Sequence, residues 1–307
     1  MKDGFFKKTY VVLFGAMICC LLWGSAFSCI KTGYRMFAIE GDATGSQILF
    51  AGIRFTLAGI LTVIFGSFIH GKILIPQKET WSKILILCML QTVAQYFFFY
   101  VGLAHTTGVK ASIIDSMNVF ISIFVAGMLF HFEKITVRKL LGCLIGFLGV
   151  ILVNLSPGGF DNSISLLGEG FIFFSTIAYG FSSVTLKKYS KTEDPVLLSG
   201  YQFIVGGVIM IVIGACMGGR LTVVTPAGIA MVFYLAFVSA VAYSLWGILL
   251  KYNPVSKVAV FGFMNPVFGV LLSALILGER DVIGIKSLTA LVLVSVGIWI
   301  VNGEKRK

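Results

Sequence analysis

The sequence predicts an all-α integral membrane protein whose ten transmembrane helices form two inverted five-helix repeats. Three observations lead to this fold class. Of the 307 residues, 58% are hydrophobic and only 12% are charged, with a mean hydropathy of +0.98. Apolar stretches of about 20 residues, the length of a membrane-spanning helix, recur along the whole chain. Short patterns of the first half also return in the same order in the second half.

The composition excludes a water-soluble fold, in which about 25% of residues are charged. The net charge of +11 does not predict nucleic-acid binding, because the basic residues are scattered between apolar stretches and form no continuous patch. The six cysteines lie inside apolar stretches without metal-ligand or disulfide spacing. We therefore expect no metal, no cofactor and no nucleic-acid partner.

Each apolar stretch is separated from the next by turn-forming or charged residues, such as Gly41 to Gly45 and Asn253-Pro254. The first stretch follows Lys7 and Lys8 but lacks a small-residue cleavage site, so it is expected to be a retained span. The ten predicted spans are 10–30, 46–69, 82–102, 108–130, 136–154, 166–188, 196–217, 226–249, 255–277 and 283–302.

The distribution of basic residues predicts the orientation of these spans in the cell membrane. With a cytoplasmic N-terminus, 17 of the 24 Lys and Arg residues fall in cytoplasmic segments. Short cytoplasmic loops are enriched in Lys and Arg. Both termini are therefore expected on the cytoplasmic side of a multi-pass protein.

The internal similarity predicts two repeats, at 1–155 and 163–303. Lys110, Met117 and Asn118 match Lys257, Met264 and Asn265 at an offset of about 147 residues. Several such matches in the same order indicate a real repeat. Because five spans is an odd number, the second copy enters the membrane from the opposite side. Inverted repeats of this kind are typical of secondary transporters, with the substrate site near the midplane.

Two ionisable residues lie deep inside predicted spans. Arg54 and Asp115 are both expected roughly 10–12 Å below the outer surface, at 1.5 Å per helical residue. A charge at this depth usually faces a partner or a watery cavity. We expect the two side chains to pair or to share a network facing a cavity, with Asp115 as a proton-coupling or substrate-amine site. The alternative is a buried pair that only fixes helix packing.

Further polar and aromatic residues are candidates for binding substrate. Asn118 and Asn265 occupy matching positions near the midplane, where an amide needs partners. Pro266 removes a backbone donor and can expose a carbonyl, although a plain kink is equally compatible. Aromatic candidates could stack on a solute or face lipid instead; they are Trp23, Tyr96, Tyr179, Tyr243 and Trp246.

Lys110 and Lys257 occupy matching helix starts on opposite sides of the membrane. They could attract anions at the two mouths, or simply extend to the lipid headgroups. Gly142, Gly146 and Gly149 lie on one stripe of span five, and such small residues allow close helix packing.

Several motifs together resemble the drug/metabolite transporter superfamily, in particular its EamA-type ten-helix members. They are Leu22-Trp23-Gly24-Ser25-Ala26-Phe27, Arg54-Phe55, Asn265-Pro266-Val267-Phe268, Leu277-Gly278-Glu279-Arg280 and the terminal Gly297-Ile298. The resemblance covers essentially the whole chain. It implies a transporter fold and favours export, but it does not identify the substrate.

The expected function is therefore a secondary transporter of a small organic metabolite, amino acid-like or amphipathic, working by alternating access as a monomer or homodimer. Import or exchange of an anionic metabolite remains the alternative. The sequence contains no Walker motif, which argues against direct use of ATP. A membrane-embedded enzyme is disfavoured because Arg54 and Asp115 are the only deep charges.

Overall fold

The computed structural model describes residues 2–106, 108–154, 165–277 and 285–303, and this part of the chain is helical without strands. A single turn, Lys2–Phe5, precedes the first long helix. The ten long helices of the described residues are α1 (Thr9–Met36), α2 (Thr44–His70), α3 (Thr80–His105), α4 (108–129), α5 (Val137–Asn154), α6 (166–189), α7 (Pro195–Cys216), α8 (Pro226–Tyr252), α9 (255–277) and α10 (Ile285–Asn302).

These helices confirm the predicted all-α membrane fold. Within the described ranges, seven of them are long and apolar enough to cross a membrane by length and composition. Each of the ten helices begins within two residues of a predicted span. The largest difference between a predicted span and its helix is at the end of α1. The span was predicted to end at residue 30, before the charged Lys31, but the helix includes Lys31 and Arg35 and ends at Met36. Basic side chains are favourable in the last turns of a helix. The described residues do not include three residues of the transporter-like motifs, Gly278, Glu279 and Arg280.

The helix ends follow from local sequence. Asp194 caps α7, because its carboxylate accepts hydrogen bonds from the backbone N–H groups of Val196 and Leu197 at 2.8 and 3.1 Å. Pro195 then occupies the first helical position, where no N–H donor is needed. α2 ends at Gly71, whose φ of +64° suits a glycine.

Three helices depart from regular α-helical geometry near their middles. α3 contains a π-helical stretch at Cys88–Gln95. α4 is interrupted between Asp115 and Asn118. α9 has a 3-10 stretch at Val260–Phe263, just before Asn265. Such departures often mark functional positions, because they free backbone groups and redirect side chains.

The packing pattern relates the two halves of the chain. α2 packs along α7, and α5 packs along α10, so that helices at equal positions in the two halves are partners. α1 packs on α8 and α9, whereas its equivalent α6 packs on α3 and α4. This exchange of partners is the pattern expected from a pseudo-two-fold relation between two halves. The boundaries 1–155 and 163–303 stay a prediction.

Glycines bring paired helices into backbone contact. A Cβ atom added at Gly59 of α2 would lie 2.5 Å from the Gly200 carbonyl oxygen of α7. In α5, a Cβ at Gly142 would lie 2.9 Å from the Gly297 carbonyl oxygen of α10, which agrees with the predicted packing role of span five. A Cβ at Gly146 would instead meet a side chain, the Phe263 ring of α9, at 2.6 Å. Close approach of helix backbones is what small residues permit in membranes.

Candidate functional site

A small cavity lies among the middle parts of helices from both halves. Its water-accessible volume is about 60 Å³, which is room for a few water molecules. Four helices of the first half (α1, α2, α3, α4) and three of the second (α6, α8, α9) supply its walls. The lining residues are Trp23, Ala26, Phe27, Ile30, Arg54, Gln95, Tyr96, Phe99, Asp115, Asn118, Tyr179, Tyr243 and Asn265. We call this space the central cavity.

Most of the residues proposed from the sequence meet at the central cavity. Eight of the ten line it, namely Trp23, Arg54, Tyr96, Asp115, Asn118, Tyr179, Tyr243 and Asn265. That these residues bind a substrate stays a prediction.

Two of the proposed residues do not line the central cavity. Pro266 is buried on another face of α9, since consecutive helical residues are turned about 100° apart. Trp246 supports the cavity from behind, because its ring packs edge-on against Trp23 with centroids 5.0 Å apart. Neither residue therefore lines the central cavity.

Five residues that line the central cavity were not predicted from the sequence, namely Ala26, Phe27, Ile30, Gln95 and Phe99. Ala26, Phe27 and Ile30 follow Trp23 at three-, four- and seven-residue spacing, so one face of α1 carries all four. That spacing could have identified them once Trp23 was chosen. Gln95 was also visible as a polar residue inside an apolar helix, which is itself a signal for a buried polar site.

Arg54 is buried and held by groups from two other helices. Its guanidinium donates to the Tyr100 hydroxyl of α3, to the Ser239 hydroxyl of α8 at 2.8 Å, and to the Leu235 carbonyl of α8 at 3.2 Å. Within the described part of the chain it forms no ion pair with Asp115. Of the two arrangements expected for Arg54 and Asp115, the direct pair is not formed, whereas both side chains do line the same cavity.

Aromatic rings form much of the cavity wall. The hydroxyl groups of Tyr96 and Tyr243 hydrogen-bond to each other across the two halves. The Trp23 ring packs edge-on against Tyr243 and Tyr179, with centroids 5.1 and 6.5 Å apart. Such walls suit an apolar or aromatic solute body, and can also hold a cation.

Several polar atoms at the central cavity lack a hydrogen-bond partner. Within the described residues, the buried atoms Trp23 Nε1, Gln95 Oε1 and Asn265 Oδ1 have none. Most buried polar groups are hydrogen-bonded, so such exceptions call for an explanation. All three belong to residues that line the central cavity.

The two predicted mouth lysines have different surroundings. Lys110, at the start of α4, pairs with Glu169 at 3.4 Å. Lys257, at the start of α9, lines a second and larger space of about 1180 Å³ at the opposite end of the bundle, which we call the basic cavity. Its other basic residues are Lys7, Lys134, Arg138, Lys139, Lys187 and Lys251.

Glu133 brings one acidic group into the basic cavity. Its carboxylate accepts hydrogen bonds from the Ser256 backbone N–H at 2.9 Å and from Lys139 Nζ at 2.6 Å. It thereby links the end of α4 to the start of α9. In the described ranges, no group of three or more His, Cys, Asp or Glu side chains could hold a metal ion.

Comparison with known proteins gives one family and several relatives. The EamA-like transporter family matches residues 10–155 and 166–303. The chain is 26% identical to the uncharacterized transporter YvbV of Bacillus subtilis, covering 86% of this chain and 85% of that protein. It is 27% identical to the uncharacterized inner membrane transporter YedA of Escherichia coli K12, covering 87% and 83%.

A plant protein and a solved structure extend these similarities. The chain is 25% identical to a WAT1-related chloroplastic protein of Arabidopsis thaliana, covering 91% of this chain and 66% of that protein. A crystal structure with 16% sequence identity superposes with a TM-score of 0.76, covering 95% of this chain and 96% of the other. This structural likeness concerns the fold alone.

Proposed function

Since this chain belongs to the EamA-like transporter family, we propose that it is a secondary transporter that exports a small organic metabolite across the cytoplasmic membrane. The membrane-transporter class follows from the family and from the relatives. The solute is amino acid-like or amphipathic, and it moves by alternating access. A gradient drives the transport, with Asp115 as the candidate proton-coupling group.

The central cavity is the observation that carries this proposal. It lies between the two halves, and both halves supply polar and aromatic side chains to it. Its water-accessible volume of about 60 Å³ leaves room for a few water molecules. Ligand sites of drug size have volumes of about 300–1,000 Å³. Helices must therefore move apart to admit a solute, which supports a carrier that opens and closes around its site.

The interrupted helices support the same mechanism. α3, α4 and α9 each leave regular geometry next to a cavity residue, namely Gln95, Asp115 and Asn265. Broken helices around a midplane site, combined with two related halves, are typical of transporters that expose one site to each side in turn. A ligand shifts such an equilibrium when it binds one state more tightly than the other.

Counterflow in proteoliposomes tests the proposal. Vesicles containing the full chain are loaded with unlabelled solute and diluted into a trace of the same labelled solute, for a panel of amino acids, amines, nucleosides and phosphorylated sugars. We expect transient, saturable accumulation of label for one solute class. Asp115→Asn should lower the initial rate at least about tenfold, because it removes the carboxylate from the cavity while keeping its volume.

The matched control is Asp42→Asn, the same substitution at an exposed residue between α1 and α2. It should leave counterflow unchanged. Flux that rises linearly with concentration and shows no counterflow would contradict a carrier and indicate a channel.

The basic cavity favours a second candidate function, import or exchange of an anionic metabolite. Seven Lys and Arg residues and a single acidic one line this space. A surface of one charge raises the local concentration of oppositely charged solutes. Counterflow of phosphorylated sugars in the same panel, with no response to amino acids or amines, would select this alternative.

A further inference from the structure

The central cavity offers hydrogen-bond acceptors that the protein itself does not use. Gln95 of α3 and Asn265 of α9 are 5% and 7% exposed, and their side-chain oxygens have no partner within the described residues. Asp115 of α4 brings a carboxylate to the same space. Three helices therefore bring side chains with oxygen acceptors to one cavity, and a buried acceptor without a donor is unfavourable.

The strongest donor at the cavity, the Arg54 guanidinium, is engaged elsewhere. Arg54 donates to Tyr100, Ser239 and the Leu235 carbonyl. The hydroxyl groups of Tyr96 and Tyr243 bond to each other. A bound molecule with several N–H donors can satisfy these acceptors together, and the carboxylate of Asp115 attracts a cation.

We propose that the central cavity binds the primary ammonium group of an amphipathic solute, with Asp115, Gln95 and Asn265 as its three acceptors. This inference rests on the proposed transport function and specifies its substrate class. An –NH₃⁺ group has three N–H donors and no acceptor, which matches three oxygens from three helices. The rings of Trp23, Tyr179 and Tyr243 enclose the apolar body of the solute.

The unpaired amide oxygens favour a primary ammonium group over a quaternary one as the ligand. Aromatic walls alone would favour a quaternary ammonium through cation–π attraction. A quaternary group has no N–H, however, and would leave the oxygens of Gln95 and Asn265 unpaired. Sites built to hydrogen-bond a ligand reject analogues that lack the bonding group.

A further donor at the cavity, Trp23 Nε1, has no partner among the described residues. It can donate to an acceptor on the solute, such as a carboxylate. A free amine and an amino acid therefore share the ammonium chemistry proposed here, and they differ in whether this donor is used.

Ligand-dependent thermal unfolding of the purified full chain in detergent tests the inference. The probes are phenethylamine, its N,N,N-trimethyl analogue, 2-phenylethanol and L-phenylalanine. Phenethylamine or L-phenylalanine should raise the unfolding temperature. The trimethyl analogue and the alcohol should need at least tenfold higher concentrations for the same shift. A larger shift with L-phenylalanine than with phenethylamine identifies an amino acid as the source of the ammonium group.

Substitutions of similar size test the three acceptors. Asp115→Asn, Gln95→Met and Asn265→Leu should each raise the half-maximal concentration of the bound primary amine at least tenfold. Asp42→Asn should not change it. If any of these variants does not fold, the comparison of primary and trimethylated probes on the unaltered chain still decides the question.

Two results would overturn the inference. One is equal binding of the primary and trimethylated probes. The other is the lack of a shift with either primary amine up to millimolar concentration. Counterflow of a solute without an amine would then leave the transport function in place, whereas the absence of counterflow for every solute would count against transport itself.

Discussion

Arg54 shows how a single buried charge can serve the structure. It lies in the middle of α2 and is only 2% exposed, yet its hydrogen bonds reach α3 in the same half and α8 in the other half. The guanidinium of Arg is well suited to this, since its donors lie in a fixed plane and bond several groups at once. Its position joins the two halves beside the central cavity.

Replacing Arg54 should destabilise the protein more than replacing an exposed arginine. We expect Arg54→Met to lower the free energy of unfolding by roughly 2–4 kcal/mol, because Ser239, Tyr100 and the Leu235 carbonyl lose a buried partner. The control is Arg35→Met, at an exposed residue of α1, with an effect within about 0.5 kcal/mol. Unfolding in detergent, followed by tryptophan fluorescence, measures both. Equal effects of the two substitutions would contradict a structural role for Arg54.

At the scale of helices, the pairing of α2 with α7 depends on glycines in a regular pattern. α2 carries Gly45, Gly52, Gly59 and Gly66, and α7 carries Gly200, Gly207 and Gly214, all at seven-residue spacing. Residues seven apart lie nearly on one face of a helix, as in a coiled-coil seam. The two helices therefore touch backbone to backbone along their length, and no larger residue fits between them without displacement.

A methyl group added in this seam should weaken the pairing. In Gly207→Ala, the new Cβ would lie 2.4 Å from the Thr56 backbone nitrogen, so α2 and α7 must separate. We expect a loss of about 1–3 kcal/mol in the free energy of unfolding. Gly15→Ala of α1 is the control, since its Cβ would meet only side-chain atoms, those of Leu249 at 3.3 Å and of Leu245 at 3.6 Å. Thermal unfolding and gel filtration compare them, and an unchanged Gly207→Ala protein would rule out tight backbone contact.

At the scale of the whole molecule, basic residues are concentrated at one end of the bundle. The basic cavity collects seven Lys and Arg residues that are distant in the sequence, from Lys7 to Lys257. These include Lys7 of the N-terminal segment, Lys134 of the α4–α5 connection, and Lys251 and Lys257 at the adjoining ends of α8 and α9. This clustering is in line with a cytoplasmic location for that end, because cytoplasmic loops are rich in Lys and Arg.

Reporter fusions test the orientation of the whole molecule. Alkaline phosphatase, which is active only outside the cytoplasm, should be inactive when fused after Lys307 and active when fused after Asp42. A green fluorescent protein fusion should give the opposite pattern, with fluorescence only after Lys307. An active phosphatase at the C-terminus would contradict the predicted topology and would place the basic cavity on the outer side.

Much of the fold could be predicted from the sequence, because helix formation in a membrane is a local requirement. Backbone groups in lipid must bond within their own helix, so an apolar stretch of about 20 residues already specifies an element. For the same reason, polar residues inside spans were recognisable as candidates, and Arg54, Asp115, Asn118 and Asn265 indeed meet at one cavity. That they bind a solute stays a prediction.

Only the tertiary structure decided which side chains face each other. Lipid-facing and core-facing positions are both apolar in a membrane helix, so the hydrophobic pattern gives little information about the buried face. The sequence could not distinguish Trp23 at the cavity from Trp246 behind it, nor find that Arg54 bonds Tyr100 and Ser239 instead of Asp115. These contacts depend on how α1, α2, α3 and α8 cross, which is set by close packing between residues far apart in the chain.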